Sequence, residues 1–379
     1  MAAAAAVGGF TAPGRLAGID LARGLAIVGM LAAHLLDPGA PDTPAWAWVA
    51  DGRSSILFAT LAGVSIGLVT GGVRPLAGAA MRTARGRLAV RAAALYAIGI
   101  LLIATGVPVY VILPAYALLF VLAIPFTGLG ARALLAAAAV SALVMPFVHA
   151  WVDRAPFWQT GAGQQVVLLV GWHYPFPVWI AFVLAGMGLA RWDLRDTATQ
   201  LRLLFAGGLL AGVGYGLALV TGADGQVASS SLWGAVWTAR PHSSGILEVV
   251  GSGGFAIAVI GACLLLCRTP LTWVVLPLRA AGAMPLTAYV AQLLVWAVWA
   301  WLALGSTQPL TAFRALHPFW PITLGILVGC TVWALLWGRG PLERLLSLLA
   351  RRAVPGRPST SGAAEPSPES PTGPGRLGG

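Results

Sequence analysis

Lysine is absent: all 23 basic residues of the 379-residue chain are arginine. That absence removes a Walker-type phosphate loop, which needs its lysine, and neither an H-E-x-x-H motif nor a dinucleotide fingerprint is present; the one G-x-S-x-G match, Gly63-Val-Ser65-Ile-Gly67, lies within an apolar run and not at the strand-to-helix turn that makes a nucleophile elbow. Charge as a whole is scarce. Charged residues make up 9% of the chain and apolar ones 58%, whereas a soluble domain carries roughly a quarter charged. A soluble globule is therefore excluded. The net charge of +11 lies mainly in loops between apolar runs rather than on one soluble face, so nucleic acid is not an expected partner. Cysteine is nearly missing too. Cys263, Cys267 and Cys330 lie inside apolar runs with no histidine or carboxylate at ligand spacing, which leaves no metal site or disulfide framework and makes them ordinary small core residues. Met1 to Phe10 lacks a basic n-region and a cleavage pattern, so the first apolar run is expected to act as its own insertion signal.

What the chain has in abundance is apolar runs of about 20 residues with short polar punctuation, the pattern of membrane-spanning helices rather than of barrel strands. An all-α, polytopic integral membrane protein of about ten transmembrane helices is expected, with the lipid bilayer of the cell membrane as its first partner. The expected spans are residues 20–36, 54–70, 88–103, 107–126, 131–152, a run ending at Arg191 that is broken near its start by Gly171-Trp-His-Tyr-Pro-Phe-Pro177, then 201–219, 247–267, 283–304 and 319–337. Prolines cause that break, because they remove backbone donors. Residues 74–91 read as an arginine-bearing loop and residues 271–278 as an interfacial lead-in. Gly63 and Gly67 read as a small-residue packing face.

Arginine placement sets the orientation. With a cytosolic amino terminus, sixteen loop and flanking arginines fall inside and four, Arg53, Arg154, Arg240 and Arg314, outside. The positive-inside rule then makes both termini cytosolic. The expected organisation is a cytosolic segment over residues 1–19, a transmembrane bundle over 20–339, a cytosolic interfacial helix over 340–354 and a disordered Pro/Gly/Ser-rich tail over 355–379.

The first apolar run holds only three ionisable side chains between Ile19 and Leu36: Asp20, Arg23 and His34. On a helix, eleven steps bring Arg23 and His34 to within ~20° in direction and ~16 Å apart along the axis. A charge inside a membrane span faces a cavity or a partner rather than lipid, so this helix is expected to line a site. A headgroup-level ion pair between Asp20 and Arg23 is the competing reading. The chosen orientation puts His34, His149, His173, His242 and His317 all toward the outer side, with Asp51, Arg53 and Glu248 in the same zone. Imidazoles near carboxylates are what general acid and base chemistry requires. His34, Glu248 and Asp51 are the catalytic candidates, Arg53, His173 and His242 the substrate-binding candidates, and His149 and His317 are read as structural.

The run Gly18-Ile-Asp20-Leu-Ala-Arg23-Gly24-Leu-Ala-Ile followed by His34 resembles the first helix of the transmembrane acyltransferase superfamily. The Arg23-to-His34 spacing is similar to the acyltransferase-three motif. Asp51-Gly-Arg53-Ser-Ser-Ile-Leu-Phe58, the segments 171–179, 241–248 and 282–289, and Gly340-Pro-Leu-Glu343 resemble bacterial relatives of the heparan-alpha-glucosaminide N-acetyltransferase catalytic domain and YeiB-type membrane proteins. That resemblance implies an acyltransferase moving an acyl group, often acetyl, from cytosolic acyl-CoA (acetyl-CoA) to an extracytoplasmic sugar, glycan or lipid acceptor. It implies His34 as the catalytic histidine, a base or acyl carrier, and Arg23 as the motif arginine, here assigned to the donor's phosphates. No histidine stands between Ala45 and Ala50, where the N-acetyltransferase carries its active one. A small-molecule or lipid transporter and a noncatalytic membrane scaffold are the alternative functions.

Overall fold

The computed structural model describes residues 15–37, 43–225 and 231–356. The principal helices are α1 (Ala17–Leu35), α2 (Arg53–Val69), α3 (Gly78–Ile103), α4 (Leu113–Ala123), α5 (Ala131–Val152), α6 (Gly161–Val170), α7 (Phe176–Leu189), α8 (Thr197–Val220), α9 (Ile246–Leu266), α10 (Leu276–Ala283), α11 (Pro285–Leu304), α12 (Phe319–Trp337) and α13 (Pro341–Ala353). Among the described residues there is no strand. Seven helices, α1, α3, α5, α8, α9, α11 and α12, are long and apolar enough to cross a membrane. The other three expected spans are shorter: α2, α4 with the 3-10 turn Ile124–Gly128 that extends it, and the broken pair α6 and α7. The protein is an all-helical, multi-pass membrane protein. The amino-terminal segment before Arg15 and the tail from Arg357 lie outside the described residues.

Helix α1 is the hub, the most buried of the seven long helices. Its sequence explains this: Gly18, Gly24 and Gly29 stand where a Cβ would run into the backbone of α9 at Leu264, the backbone of α10 at Leu278 and the side chain of Ser54 on α2. Three helices thus close tightly on α1, the way small residues allow in a bilayer. The same logic joins α2 to α7, where Gly63 faces the backbone of Val183 and Gly67 faces Ala190, so the packing role expected of this glycine pair is what they perform.

Two elements differ from the sequence expectation. The segment read as an arginine loop over 74–91 is helical from Gly78 onward, because alanine and arginine both favour helix and neither needs to reach lipid. Residues 271–278, read as an interfacial lead-in, form a short turn, Leu271–Val274, with exposed Leu271, Trp273 and Val274, running into α10, where Arg279, Ala280, Ala281 and Gly282 are buried against α1. One nitrogen of the Arg279 guanidinium donates to the carbonyl and hydroxyl of Thr272 at 2.9 and 2.8 Å, a local anchor for the buried cation. Lastly, α13 folds back onto α3 and α11 instead of serving only as a lipid-facing anchor. Its Glu343 accepts hydrogen bonds from the backbone of Leu286 and Thr287 and from the Thr287 hydroxyl, at 2.8, 3.1 and 2.6 Å. A carboxylate at the first turn of α11 caps its open N–H groups and complements its dipole.

Candidate active site

Two chambers open along α1, one at each end of the pair singled out by the sequence. At the His34 end lies a cavity of about 600 Å³. It gathers His34 from the last turn of α1, Asp51 from the turn before α2, His149 and Asp153 from the end of α5, His173 and Tyr174 from the break between α6 and α7, and His242 from the loop before α9. Tyr110, Trp158 and Trp172 form much of its aromatic wall. The break at Gly171 works through its left-handed conformation, φ +65°, followed by Pro175, whose ring starts α7 one residue later. A continuous helix here would have hidden the backbone and the imidazole of His173 in a span. His173 instead stacks on Tyr110.

His34 lines this cavity with its Nδ1 buried and without a hydrogen-bond partner, and its carbonyl receives two bonds from the Arg314 guanidinium, 3.1 and 2.8 Å. Those bonds close the open end of α1 and fix the residue that carries the ring. The ring itself lies 6.5 Å, centroid to centroid, from Trp296 of α11. A buried imidazole nitrogen without a protein partner is rare and marks the ring as a candidate for a role in this cavity.

His242 and Asp51 approach each other at 3.4 Å, Nε2 to Oδ1, both side chains part-exposed. The loop that presents His242 is held in a rare shape: His242 and Ser244 both have positive φ, +62° and +56°. Glu248 enforces it. This buried carboxylate accepts from the His242 and Ser244 amides at 2.6 Å each and from the Ser243 hydroxyl at 3.1 Å. Gly52, φ +67°, packs beneath Pro241 and is the kind of residue suited to that turn. Glu248 therefore reaches the cavity through His242 and does not line it. For His242, burial pushes the imidazole pKa down, but the hydrogen bond to Asp51 and the charges of Glu248 and Asp51 outweigh it, so it titrates above its ordinary value. The same hydrogen bond holds Asp51 below the ordinary carboxylate value.

Arg53 sits apart from this cavity. It donates to the Tyr215 hydroxyl of α8 at 2.7 Å and to the Trp48 carbonyl at 2.9 Å, tying α2 to α8. His149, read from sequence as structural, lines the cavity together with Asp153, Tyr110 and Trp172. The apolar context of His149 hid this in the sequence, since no local pattern marks which face of α5 it occupies.

At the Arg23 end is a smaller chamber of about 310 Å³, walled by Phe58, Leu61, Leu95, Phe120 and Leu286 and floored by Glu343, Leu346 and Ser347 of α13. Arg23 bonds to Ser65 at 2.6 Å and pairs with Asp20 at 3.3 Å, while Arg15 holds the other Asp20 oxygen at 2.6 Å. The Asp20–Arg23 pair weighed from sequence exists, and it exists inside the bundle with Arg23 facing a chamber. One contact links the walls of the two chambers: Tyr116 lines the Arg23 chamber and donates 3.2 Å to the carbonyl of Ser55, a residue that lines the His34 cavity. Among the described residues no group of three or more histidine, cysteine or acidic side chains is arranged to hold a metal.

A family profile described as heparan-alpha-glucosaminide N-acetyltransferase, catalytic, matches residues 15–214. A second, described as protein of unknown function (DUF418), matches residues 187–353. No curated protein and no solved structure matches the chain. The first profile covers His34, Asp51 and His173, and the second covers His242 and Glu248, so the His34 cavity draws on both. With more than half its length matched and a polytopic helical bundle to carry the match, the chain belongs to the heparan-alpha-glucosaminide N-acetyltransferase catalytic-domain family, a family of membrane acetyltransferase type.

Proposed function

We propose that the protein is a membrane-embedded acyltransferase that takes an acyl group, acetyl above all, from cytosolic acyl-CoA and passes it to a sugar or other envelope acceptor on the far side of the membrane. The observation that carries this reading is the pair of chambers on one helix, a cationic one at Arg23 and an imidazole-lined one at His34, their walls linked by the Tyr116–Ser55 contact. An acyl donor entering at the Arg23 end has a slim, uncharged arm that suits the apolar chamber, with Arg23 directed at its polar groups.

His34 is the catalytic residue in this scheme. Its imidazole either removes the proton from the acceptor's hydroxyl or amine as that group attacks the thioester carbonyl, or carries the acyl group between donor and acceptor. In either case the carbon–sulfur bond breaks, the new acyl bond forms, and the proton ends on the thiol. Asp51 and His242 act as a pair in the cavity, orienting the acceptor, with His173 lining the same cavity. Glu248 is a positioning residue that keeps the His242 loop in place. Arg53, braced against Tyr215, fixes the turn that carries Asp51.

Acyl release from radiolabelled acetyl-CoA by the purified, detergent-solubilised protein tests the assignment. His34→Ala is expected to lose at least about a hundredfold in rate, the scale of a general base. Wild-type turnover in that variant ends the proposed role of His34.

A further inference from the structure

Next to the Arg23 chamber lies a third recess, of about 850 Å³, that the reaction scheme does not use. Its lining includes four guanidinium side chains, Arg87 and Arg91 on α3, Arg339 in the turn after α12 and Arg351 on α13, and no carboxylate. Arg87 and Arg91 are four residues apart and so share one face of α3. Arg87 is fixed by a 3.1 Å bond from its Nε to the Val354 carbonyl at the end of α13. Among the described residues no ion pair involves any of the four. The recess joins the Arg23 chamber through two shared wall residues, Arg91 and Ser347.

Four like charges turned into one hollow repel one another, and an arrangement of that kind is stabilised by a ligand carrying several negative charges. Guanidinium groups match phosphate oxygens in geometry as well as charge. We propose that this recess binds the phosphates of a phosphate ester whose uncharged tail extends past Arg91 into the Arg23 chamber, and that the ligand is the nucleotide end of the acyl-CoA donor. The inference rests on the acyltransferase reading for the identity of the ligand. A nucleotide with a 3′-phosphate and a diphosphate offers enough anionic groups for four arginines and a single narrow tail for the 310 Å³ chamber. An anionic phospholipid offers one phosphate and two bulky tails. Two of the arginines, Arg339 and Arg351, belong to the region matched by the second family profile alone, so the donor site, like the His34 cavity, is completed by the carboxy-terminal part of the chain.

The test is equilibrium binding of free CoA to the full-length solubilised protein, with dephospho-CoA, pantetheine and phosphatidylglycerol as comparison probes. CoA is expected to bind the wild type, more weakly as salt rises, with dephospho-CoA weaker and pantetheine weakest. Arg91→Gln and Arg351→Gln are each expected to weaken CoA by about tenfold, the value of one charge-assisted contact, while Arg132→Gln, outside the recess, leaves it unchanged. Unliganded melting temperatures check folding, and Arg339→Gln, an exposed turn residue, supplies the answer should the helical variants fold poorly. No CoA binding, unaltered affinity in the arginine variants, or phosphatidylglycerol binding in place of CoA each overturns the proposal. Acyl transfer that continues with an unchanged donor KM in Arg339→Gln and Arg351→Gln also ends it while leaving the acyltransferase reading intact. Arginine-dependent CoA binding by a protein that transfers no acyl group does the reverse.

Discussion

His242 is held by two carboxylates that do different work: Asp51 meets its ring and Glu248 holds its backbone. Non-glycine residues with positive φ cost on the order of 1–3 kcal/mol each, and two such residues flank Ser243, so the three bonds to Glu248 maintain a shape the loop would otherwise leave. The pH behaviour has a definite sign. Because the folded His242 titrates above 6.5, its contribution to stability is full below that value and is lost as pH rises through the raised one; the depressed Asp51 contributes above its ordinary value of 3.8 and is lost as pH falls through the lowered one. The pair is thus intact between the lowered Asp51 value and the raised His242 value. Asp51→Asn is expected to bring the His242 midpoint down, read by NMR of histidine-labelled protein. An unmoved midpoint would show that the 3.4 Å approach does not govern the imidazole. The sequence made these residues visible as a crowd of imidazoles and acids at one side of the bundle. It left the pairing hidden, because 191 positions separate Asp51 from His242 (242 minus 51) and only the folded loop joins them.

At the level of helices, the interrupted pattern of hydropathy was enough to find the apolar helices, including the proline break that exposes His173, and the glycine spacing on α2 was enough to predict its tight packing. Where the reading from sequence stopped short was at arginine and alanine stretches outside the hydrocarbon. Residues 78–88 look like loop by hydropathy, yet they are helical, since intrinsic propensity and packing against α13 decide structure where lipid does not. Helix α13 shows how much hangs on such a segment. Its Glu343 caps α11 while Leu346 and Ser347 floor the Arg23 chamber. Glu343→Ala removes three accepted hydrogen bonds and is expected to destabilise the protein by about 1–2 kcal/mol, seen as a lower melting temperature in detergent, and to weaken CoA binding through the displaced floor. An unchanged melting temperature would mean that α13 is only loosely attached.

For the molecule as a whole, the two matched regions are one working unit, because the cavity at His34 and the arginine recess each take side chains from both. The partition between the chambers gives this unit a further property. Recesses that enter a bundle from opposite ends draw the membrane voltage onto whatever lies between them, and the contact that links the two walls here is the Tyr116 ring against the Ser55 carbonyl, with Phe58 beside it. Tyr116→Ala is expected to let protons cross proteoliposomes that the wild-type protein leaves tight, measured with an entrapped pH dye; a tight Tyr116→Ala vesicle would locate the barrier elsewhere. On the acyltransferase reading, that one phenol ring serves as electrical insulation. A thioester arm passing that point would have to serve as the plug in its turn, so each turnover would exchange one stopper for another without ever leaving the channel open to ions.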